Sequence, residues 1–290
     1  MRPLARRGPG GAFGTMGMLC RPAAGLEERA GARGAASKNR SKGETVAGAL
    51  PNCLICGAPL VYASQSYEVT CAICGRTEMG TTTCENGHYV CNSCHRSGGI
   101  DFMYKLCVTS RSKNAIEILT QAMEDKSVYP NGPEHHTLVG AAIIAAYYNA
   151  GGKINGGRMT KGDALKELKV RSLQVPGGTC GFWGCCGAAT SAGQALSIIN
   201  GSTPMTKGPW GQCQALTGHI LTHLSEWGGP RCCKRTGFTA VLDTIDYLNE
   251  NFNVRMEKPE KVTCRFCAGN RQCLKQECPY FPRKEVAAEG

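Results

Sequence analysis

The stretch CLICGAPLVYASQSYEVTCAICGRTEMGTTTCENGHYVCNSC, residues 53–94, decides how the first part of the chain folds. It carries eight metal-ligand side chains in four closely spaced pairs, and eight ligands make two tetrahedral zinc sites. A CxxC step lets both sulfurs of a pair face one ion from a tight turn. Glycines follow two of the pairs, at Gly57 and Gly75, where a positive φ is often needed. We therefore predict a two-zinc ribbon module over residues 51–107, with the ligands Cys53, Cys56, Cys71, Cys74, Cys84, His88, Cys91 and Cys94.

The pairing of these ligands has two interpretations. A sequential scheme places the first two pairs on one ion and the last two pairs on the other. A cross-braced scheme alternates the pairs, and the stretch from Cys71 to Cys94 resembles the first six ligands of a RING finger, in which the first and third pairs share a zinc ion. The Cys84/His88 pair would then be completed by Cys53 and Cys56. The downstream pair of a RING is missing, which argues against a ubiquitin ligase, and zinc is expected to replace a hydrophobic core too small to stand alone.

Cysteine usage and charge limit the compartment and the partners. The chain has 19 cysteines, and the repeated CxxC step is typical of metal knuckles in a reducing compartment, so we predict a cytoplasmic protein.

Much of the net charge of +11 lies in the first fifty residues, a Gly/Ala/Arg-rich stretch without hydrophobic periodicity. We predict a disordered basic extension over residues 1–50, whose charge permits nucleic-acid binding with little other support. The longest apolar run, Leu138 to Tyr148, is too short to cross a bilayer, so no membrane partner is expected.

From about Ser112 the hydrophobic pattern becomes helical. Residues 138–148 are apolar nearly all round, which predicts a central helix. Thr160 and Asp163 form a capping-box-like start for a further helix. The pattern thus predicts an α-rich protein, in which a small zinc-ribbon or treble-clef-like β module precedes a mainly helical domain over residues 108–257 and a cysteine-rich metal-binding tail over residues 258–290. The helices are expected around residues 116–123, 138–148, 164–170, 187–199, 210–227 and 238–252.

Six thiols fall in the predicted helical domain, and five of them stand in two groups just before predicted helices. Free amides and the positive end of the helix dipole stabilise thiolates there and lower their pKa. Small buried cysteines that fill a tightly packed core are the alternative. We predict that the two groups meet in one catalytic pocket, formed by Cys180, Cys185, Cys186, Cys232 and Cys233. Cys213, Lys234 and Arg235 are expected to contribute to cofactor binding in the same pocket.

The tail carries four more thiols within fifteen residues: Cys264, Cys267, Cys273 and Cys278. We predict that these sulfurs converge on one point. Four thiolates suit a zinc ion or a [4Fe–4S] cluster equally, so the spacing leaves the metal open.

Two resemblances bear on function. The segment from Gly184 to Gly187 resembles the vicinal zinc-thiolate motif of homocysteine methyltransferases, in which zinc activates a substrate thiol, although the βα-barrel of those enzymes is absent. The segments CENGHYVCNSCH, GGTCGFWGCCGAATSAG and CCKR, together with the tail, resemble a cysteine-rich family of anaerobic bacteria and archaea over residues 51–282. That family is classed as a domain of unknown function, and some members carry a SAM-dependent methyltransferase label. The chain lacks the strand, glycine-rich turn and helix unit that would support such a cofactor.

These observations predict a cytoplasmic metal-binding protein with structural zinc and a second thiol site, which handles electrons, metal or a thiol-bound intermediate in anaerobic metabolism. Its partner would be a small molecule or a redox protein. The first alternative is a zinc-thiolate or SAM-linked methyltransferase, and the second is a zinc-ribbon adaptor for protein or nucleic acid. An enzymatic role would make the chain an oxidoreductase or a methyltransferase.

Overall fold

The first part of the chain folds around an antiparallel hairpin. The computed structural model describes residues 53–283, so the extension predicted for residues 1–50 lies outside the described range. Strand β1 is Leu60–Thr70 and strand β2 is Thr77–Cys84. Leu60 pairs with Cys84 and Thr70 pairs with Thr77, with an irregular register between Tyr62 and Tyr67. The hairpin therefore brings the start of β1 beside the end of β2.

Helices make up most of the remaining described residues, as the apolar periodicity predicts. None of the described helices is long and apolar enough to cross a membrane. The α-rich fold with a small β module is confirmed. The helices are α1 (Asn92–Thr109), α2 (Ala115–Glu124), α3 (His135–Asn149), α4 (Lys161–Ser172), α5 (Thr179–Phe182), α6 (Gly187–Asn200), α7 (Lys207–Ser225) and α8 (Cys233–Asn251), with short 3-10 turns at Ile154–Gly157 and Lys275–Glu277.

Helix α3 is the centre of the helical domain. Its residues 135–147 are all buried, and it packs against α1, α2, α4, α6 and α8. Helices that are apolar all round have no face to offer to water, so they lie inside the domain. Gly140 allows the closest approach, because its amide donates to the Ser191 hydroxyl of α6 at 2.9 Å.

The capping prediction for α4 is confirmed. The Thr160 hydroxyl accepts from the Asp163 amide at 3.2 Å and donates to the Asp163 carboxylate at 2.7 Å. This pair satisfies an amide that has no partner inside the helix. Helix α4 consequently begins at Lys161, three residues earlier than the apolar pattern alone indicates.

Helix α1 joins the module to the helical domain. It begins at Asn92, inside the range predicted for the module, and packs against α2, α3 and α4. The buried Arg96 guanidinium donates to the carbonyls of Ser172, Leu173 and Val175, just after α4. The module is therefore continuous with the helices through α1.

The tail folds back onto α8. The Cys264 amide donates to the Tyr280 carbonyl at 2.7 Å, which closes the tail on itself. The buried Tyr280 hydroxyl lies 2.8 Å from the Thr239 hydroxyl, and its ring meets the Phe238 ring edge-on at 5.5 Å. These contacts place the tail cysteines against the start of α8.

Candidate metal centres and thiol sites

The eight predicted module ligands form two groups of four. Within each group the ligand atoms all lie within 4.8 Å of one another. The first group is Cys53, Cys56, Cys84 and His88, and the second is Cys71, Cys74, Cys91 and Cys94. The sequential pairing is therefore wrong, and the cross-braced pairing is confirmed.

The hairpin explains this pairing. Because the strands are antiparallel, the knuckle before β1 lies next to the ligands at the end of β2. After His88 the chain turns back, and Tyr89 forms a parallel bridge with Cys71 at the far end of the hairpin. That bridge places Cys91 beside the second knuckle, where the Cys91 amide donates to the Cys71 sulfur at 3.3 Å.

The sulfur spacing suits a single four-coordinate ion in each group. Four sulfurs held about 2.3 Å from a tetrahedral zinc lie about 3.8 Å apart. The Cys56 and Cys84 sulfurs are 3.8 Å apart, and those of Cys74 and Cys91 are 3.7 Å apart. In the first group, the His88 Nδ1 atom lies 3.2 Å from the Cys56 sulfur. Both groups can therefore hold a metal ion without rearrangement of the chain.

One thiol in each module group is prepared for a cation: the pKa of Cys71, like that of Cys56, is lowered to about 6, because the burial of Cys71 is outweighed by hydrogen bonds from backbone amides. The Ala58 amide, followed by Asn86 and His88, lowers the pKa of Cys56 to about 6. A thiol with such a pKa is mostly thiolate near neutrality, which is the form that binds metal. Burial acts in the opposite direction on Cys91 and raises the pKa of that thiol. A cation is thus needed to keep the second group fully deprotonated.

The middle thiols stand at helix starts, as predicted. Cys186 directly precedes α6, and Cys232 caps α8 with its sulfur 3.5 Å from the Arg235 amide. Burial nevertheless outweighs the helix dipole: it raises the pKa of Cys186 and raises the pKa of Cys233 to about 12. The expectation that these positions lower the pKa of both thiols is wrong for the metal-free chain, because desolvation of a buried thiolate is the larger effect.

The middle thiols are not equivalent in position. Thiolate charge on Cys180 would raise the pKa of Cys186, and charge on Cys186 or Cys232 would raise the pKa of Cys233, so these neighbours lie within electrostatic range of one another. The Cys185 sulfur lies 3.2 Å from the Thr190 hydroxyl. The convergence of all five cysteines in one pocket remains a prediction.

Cys213 lies elsewhere. Its sulfur is 3.9 Å from the Asn200 side chain, at the last residue of α6. Cys186 stands at the first turn of the same helix, and fourteen helical residues span roughly 20 Å. The structure therefore does not bring Cys213 together with the thiols at the start of α6.

Cys232 faces the tail. Together with the four tail cysteines it lines one small, partly open cavity, which we call the thiol chamber. The remaining walls are largely aromatic. The chamber is lined by Cys232, Cys264, Cys267, Cys273 and Cys278, with Lys234, Arg235, Phe238, Phe266, Asn270, Tyr280 and Phe281.

Both predicted cationic residues are buried beside the chamber. Lys234 and Arg235 are each only 3% exposed. The Lys234 ammonium donates to the Tyr129 carbonyl at 3.2 Å and to His135 Nε2 at 3.1 Å. Burial lowers the pKa of Lys234, while the neighbouring Cys233, Glu134, Cys232 and Cys264 act to raise it. The cations thus favour thiolates in the chamber.

The sequence analysis missed Glu134, a fully buried carboxylate. It accepts from the Tyr129 amide at 3.1 Å and lies 3.3 Å from His95 Nδ1. Burial alone would raise the pKa of Glu134, but hydrogen bonds from His135 and His95 hold that pKa well below its usual range. An acidic residue directly before two histidines at the start of an apolar run was the signal in the sequence.

An open cleft of about 840 Å³ lies between the module and the helical domain. Trp183 and Phe182 line it and are 66% and 52% exposed. The buried Thr179 hydroxyl on its wall has no hydrogen-bond partner within residues 53–283. Asn270 lines both the cleft and the thiol chamber, and its side-chain amide donates to the Cys232 sulfur at 3.3 Å. Asn270 therefore contributes to the walls of both the cleft and the chamber.

The chain belongs to a family of unknown function (DUF5714), whose model matches residues 103–281. This range contains the helical domain and the tail cysteines, and it excludes the module ligands. No curated protein and no solved structure matches the chain.

Proposed function

We propose that the chain is a redox metalloprotein, in which two zinc ions stabilise the module and a second metal–thiolate site in the helical domain and tail handles electrons or a thiol-bound intermediate. The observation that supports this most strongly is the thiol chamber, where five cysteines from two distant parts of the sequence line one small cavity.

The module fits a structural role. Each of its two groups offers four protein ligands, which leaves no open position for a substrate or an activated water. The hairpin has little buried apolar surface of its own, and Val69 is the buried residue of β1. Metal binding therefore supplies the folding free energy that a core would otherwise provide.

The chamber fits a functional role because its walls resemble those of redox centres. Apolar and aromatic side chains exclude water, and amide donors and buried cations adjust the charge on the sulfurs. Purely structural cysteines need no cleft beside them. The cleft across Asn270 gives a small molecule or a redox protein a place to bind close to the site. A reducing, oxygen-poor cytoplasm would preserve such thiol chemistry, and we propose a role in anaerobic metabolism on this basis.

A second candidate function is an adaptor that binds another protein through the module. It is favoured by large apolar side chains on the module surface, of which Met79 is 65% exposed and Ile73 is 55% exposed. For methyl transfer at a zinc ion held by Cys185 and Cys186 there is no comparable supporting observation.

Metal analysis under anaerobic conditions tests the proposal. Purified full-length protein should contain two zinc ions and a further metal, with visible absorption that bleaches reversibly on addition of dithionite. A chain that contains two zinc ions and shows no other metal and no reversible redox change would exclude the redox function and would favour the adaptor.

A further inference from the structure

We infer that the thiol chamber is a [4Fe–4S] site in which Cys232, at the start of α8, is a ligand together with Cys264 and Cys278 of the tail. The inference rests on the proposed function and deepens it, because it names the cofactor and takes a ligand from outside the tail. One of the remaining chamber cysteines, Cys267 or Cys273, supplies the fourth ligand.

Cys232 is central among the chamber sulfurs. Negative charge on Cys232 would act directly on both Cys264 and Cys278, and Cys264 and Cys278 also interact with each other. Charge on Cys267 would also act on Cys264, and charge on Cys273 on Cys278. Cys232, Cys264 and Cys278 all line the chamber, so the proposed ligands come from both the helix start and the tail.

Hydrogen-bond donors are already directed at these sulfurs. The Phe266 amide donates to Cys264 at 3.4 Å, and the Arg235 amide and the Asn270 side chain donate to Cys232 at 3.5 and 3.3 Å. N–H donors to thiolate sulfur stabilise negative charge and set the reduction potential of iron–sulfur clusters. A cysteine that only fills space in a core has no need of two such donors.

The charge around the chamber also suits a bound cluster. Four thiolates leave a metal site with net negative charge, and a buried negative charge is costly unless cations lie nearby. Lys234 interacts with Cys232 and Cys264, and Arg235 interacts with Cys278. Two buried cations thus stand beside the three proposed ligands.

The chamber sulfurs are spaced more widely than the module ligands. In the module, the sulfurs lie within 4.8 Å of one another in groups of four, as a mononuclear site requires. Within residues 53–283, no three chamber sulfurs reach that spacing. A cubane spreads its four thiolates over separate iron atoms, so its ligands stand further apart than those around one zinc.

The free space between the chamber walls is about 10 Å³. Metal–thiolate bonds of about 2.3 Å are much shorter than van der Waals contacts, so iron can occupy space that the sulfur radii exclude, whereas the four bridging sulfides require the chamber side chains to move outward when the cluster assembles.

The neighbouring Cys233 provides a matched control. It is a thiol at the same helix start, but it does not line the chamber, and charge on Cys186 as well as on Cys232 acts on it. Wild type, Cys232→Ser and Cys233→Ser would be purified anaerobically as full-length chains and reconstituted with ferrous iron and sulfide. Iron, acid-labile sulfide and zinc would be measured per chain, with EPR spectra of the dithionite-reduced samples.

Wild type and Cys233→Ser should each hold about four iron and four sulfide per chain. The iron and sulfide content of Cys232→Ser should be at least roughly tenfold lower than that of wild type. Its zinc content should stay at the wild-type value, and this retained zinc would show that the chain has folded. Cys278→Ser should lose iron and sulfide in the same way. This second variant shows that the loss does not come from misfolding of Cys232→Ser alone. A third zinc in place of iron would overturn the cluster assignment, and iron retained by Cys232→Ser would overturn the ligand assignment. A wild type without any metal beyond two zinc ions would instead refute the proposed redox site itself.

Discussion

Replacing Cys91 with serine should unfold the module and release both zinc ions. Cys91 is 1% exposed, its sulfur lies 3.7 Å from that of Cys74, and its amide donates to the Cys71 sulfur. A structural zinc contributes about 10–16 kcal/mol, so one of four ligands carries about 2.5–4 kcal/mol. That share is large beside the total stability of a domain, about 5–15 kcal/mol. Because both ions hold the same hairpin, loss of the second group should also loosen the first.

Zinc analysis of desalted protein, combined with hydrogen exchange over residues 53–94, measures this effect. Wild type should hold two zinc ions, and Cys91→Ser should hold fewer than one with rapid exchange throughout the module. Cys107→Ala is the matched control: Cys107 is a fully buried thiol of α1 that contacts Met103 and belongs to neither group. It should keep both ions and lose about 1 kcal/mol of unfolding free energy. Two zinc ions in Cys91→Ser, or one ion with an ordered remainder, would refute the coupling between the sites.

Three further predictions concern packing, pH and metal removal. Gly140→Ala places a Cβ 2.8 Å from the Ser191 carbonyl oxygen, so it should lower the free energy of unfolding in urea by about 1–3 kcal/mol. The control Gly218→Ala meets nothing within 4 Å and should raise that free energy by about 0.5–1 kcal/mol. A Gly140→Ala chain more stable than wild type would contradict this packing. Burial lowers the pKa of His136 to about 4, so the contribution of the neutral ring to stability is full above about pH 6.5 and is lost as the pH falls towards 4. His136→Gln should flatten this dependence of the unfolding free energy on pH. A His136 ring that titrates near pH 6.5 by NMR would disprove the burial effect. A zinc chelator should abolish protection from exchange in the module and leave most of the helical circular dichroism, and loss of more than half of that signal would contradict an independent helical core.

The helical domain could be predicted from the sequence because its signals are local. The apolar run at residues 138–148 identifies α3, and Thr160 with Asp163 marks the start of α4. The small-residue helix expected over 187–199 appears as α6, Gly187–Asn200. In each case the period of apolar residues and the capping chemistry lie within a few turns, so no information about distant contacts is needed.

The pairing in the module could not be settled in the same way. Eight ligands in sequence order allow either scheme, and only the antiparallel register of β1 and β2 decides between them. The bridge between Cys71 and Tyr89 is a contact across the module that no local pattern encodes. Glu134 was missed for a related reason, since its partners His95 and Tyr129 approach it only in the folded chain.

Cys232 and Cys233 are neighbours at the start of α8, yet their thiols lie in different surroundings. Cys232 is extended, with φ −146° and ψ 105°, and Cys233 is the first helical residue, so their side chains leave the backbone in different directions. Cys232 is directed into the chamber, where it receives N–H donors, and Cys233 is buried near Cys186 with its pKa raised to about 12. The sequence predicted a shared role because both thiols precede the same helix. Burial therefore favours the protonated Cys233 thiol, whereas Cys232 lies beside the tail cysteines, so the two neighbours are not interchangeable as proposed metal ligands.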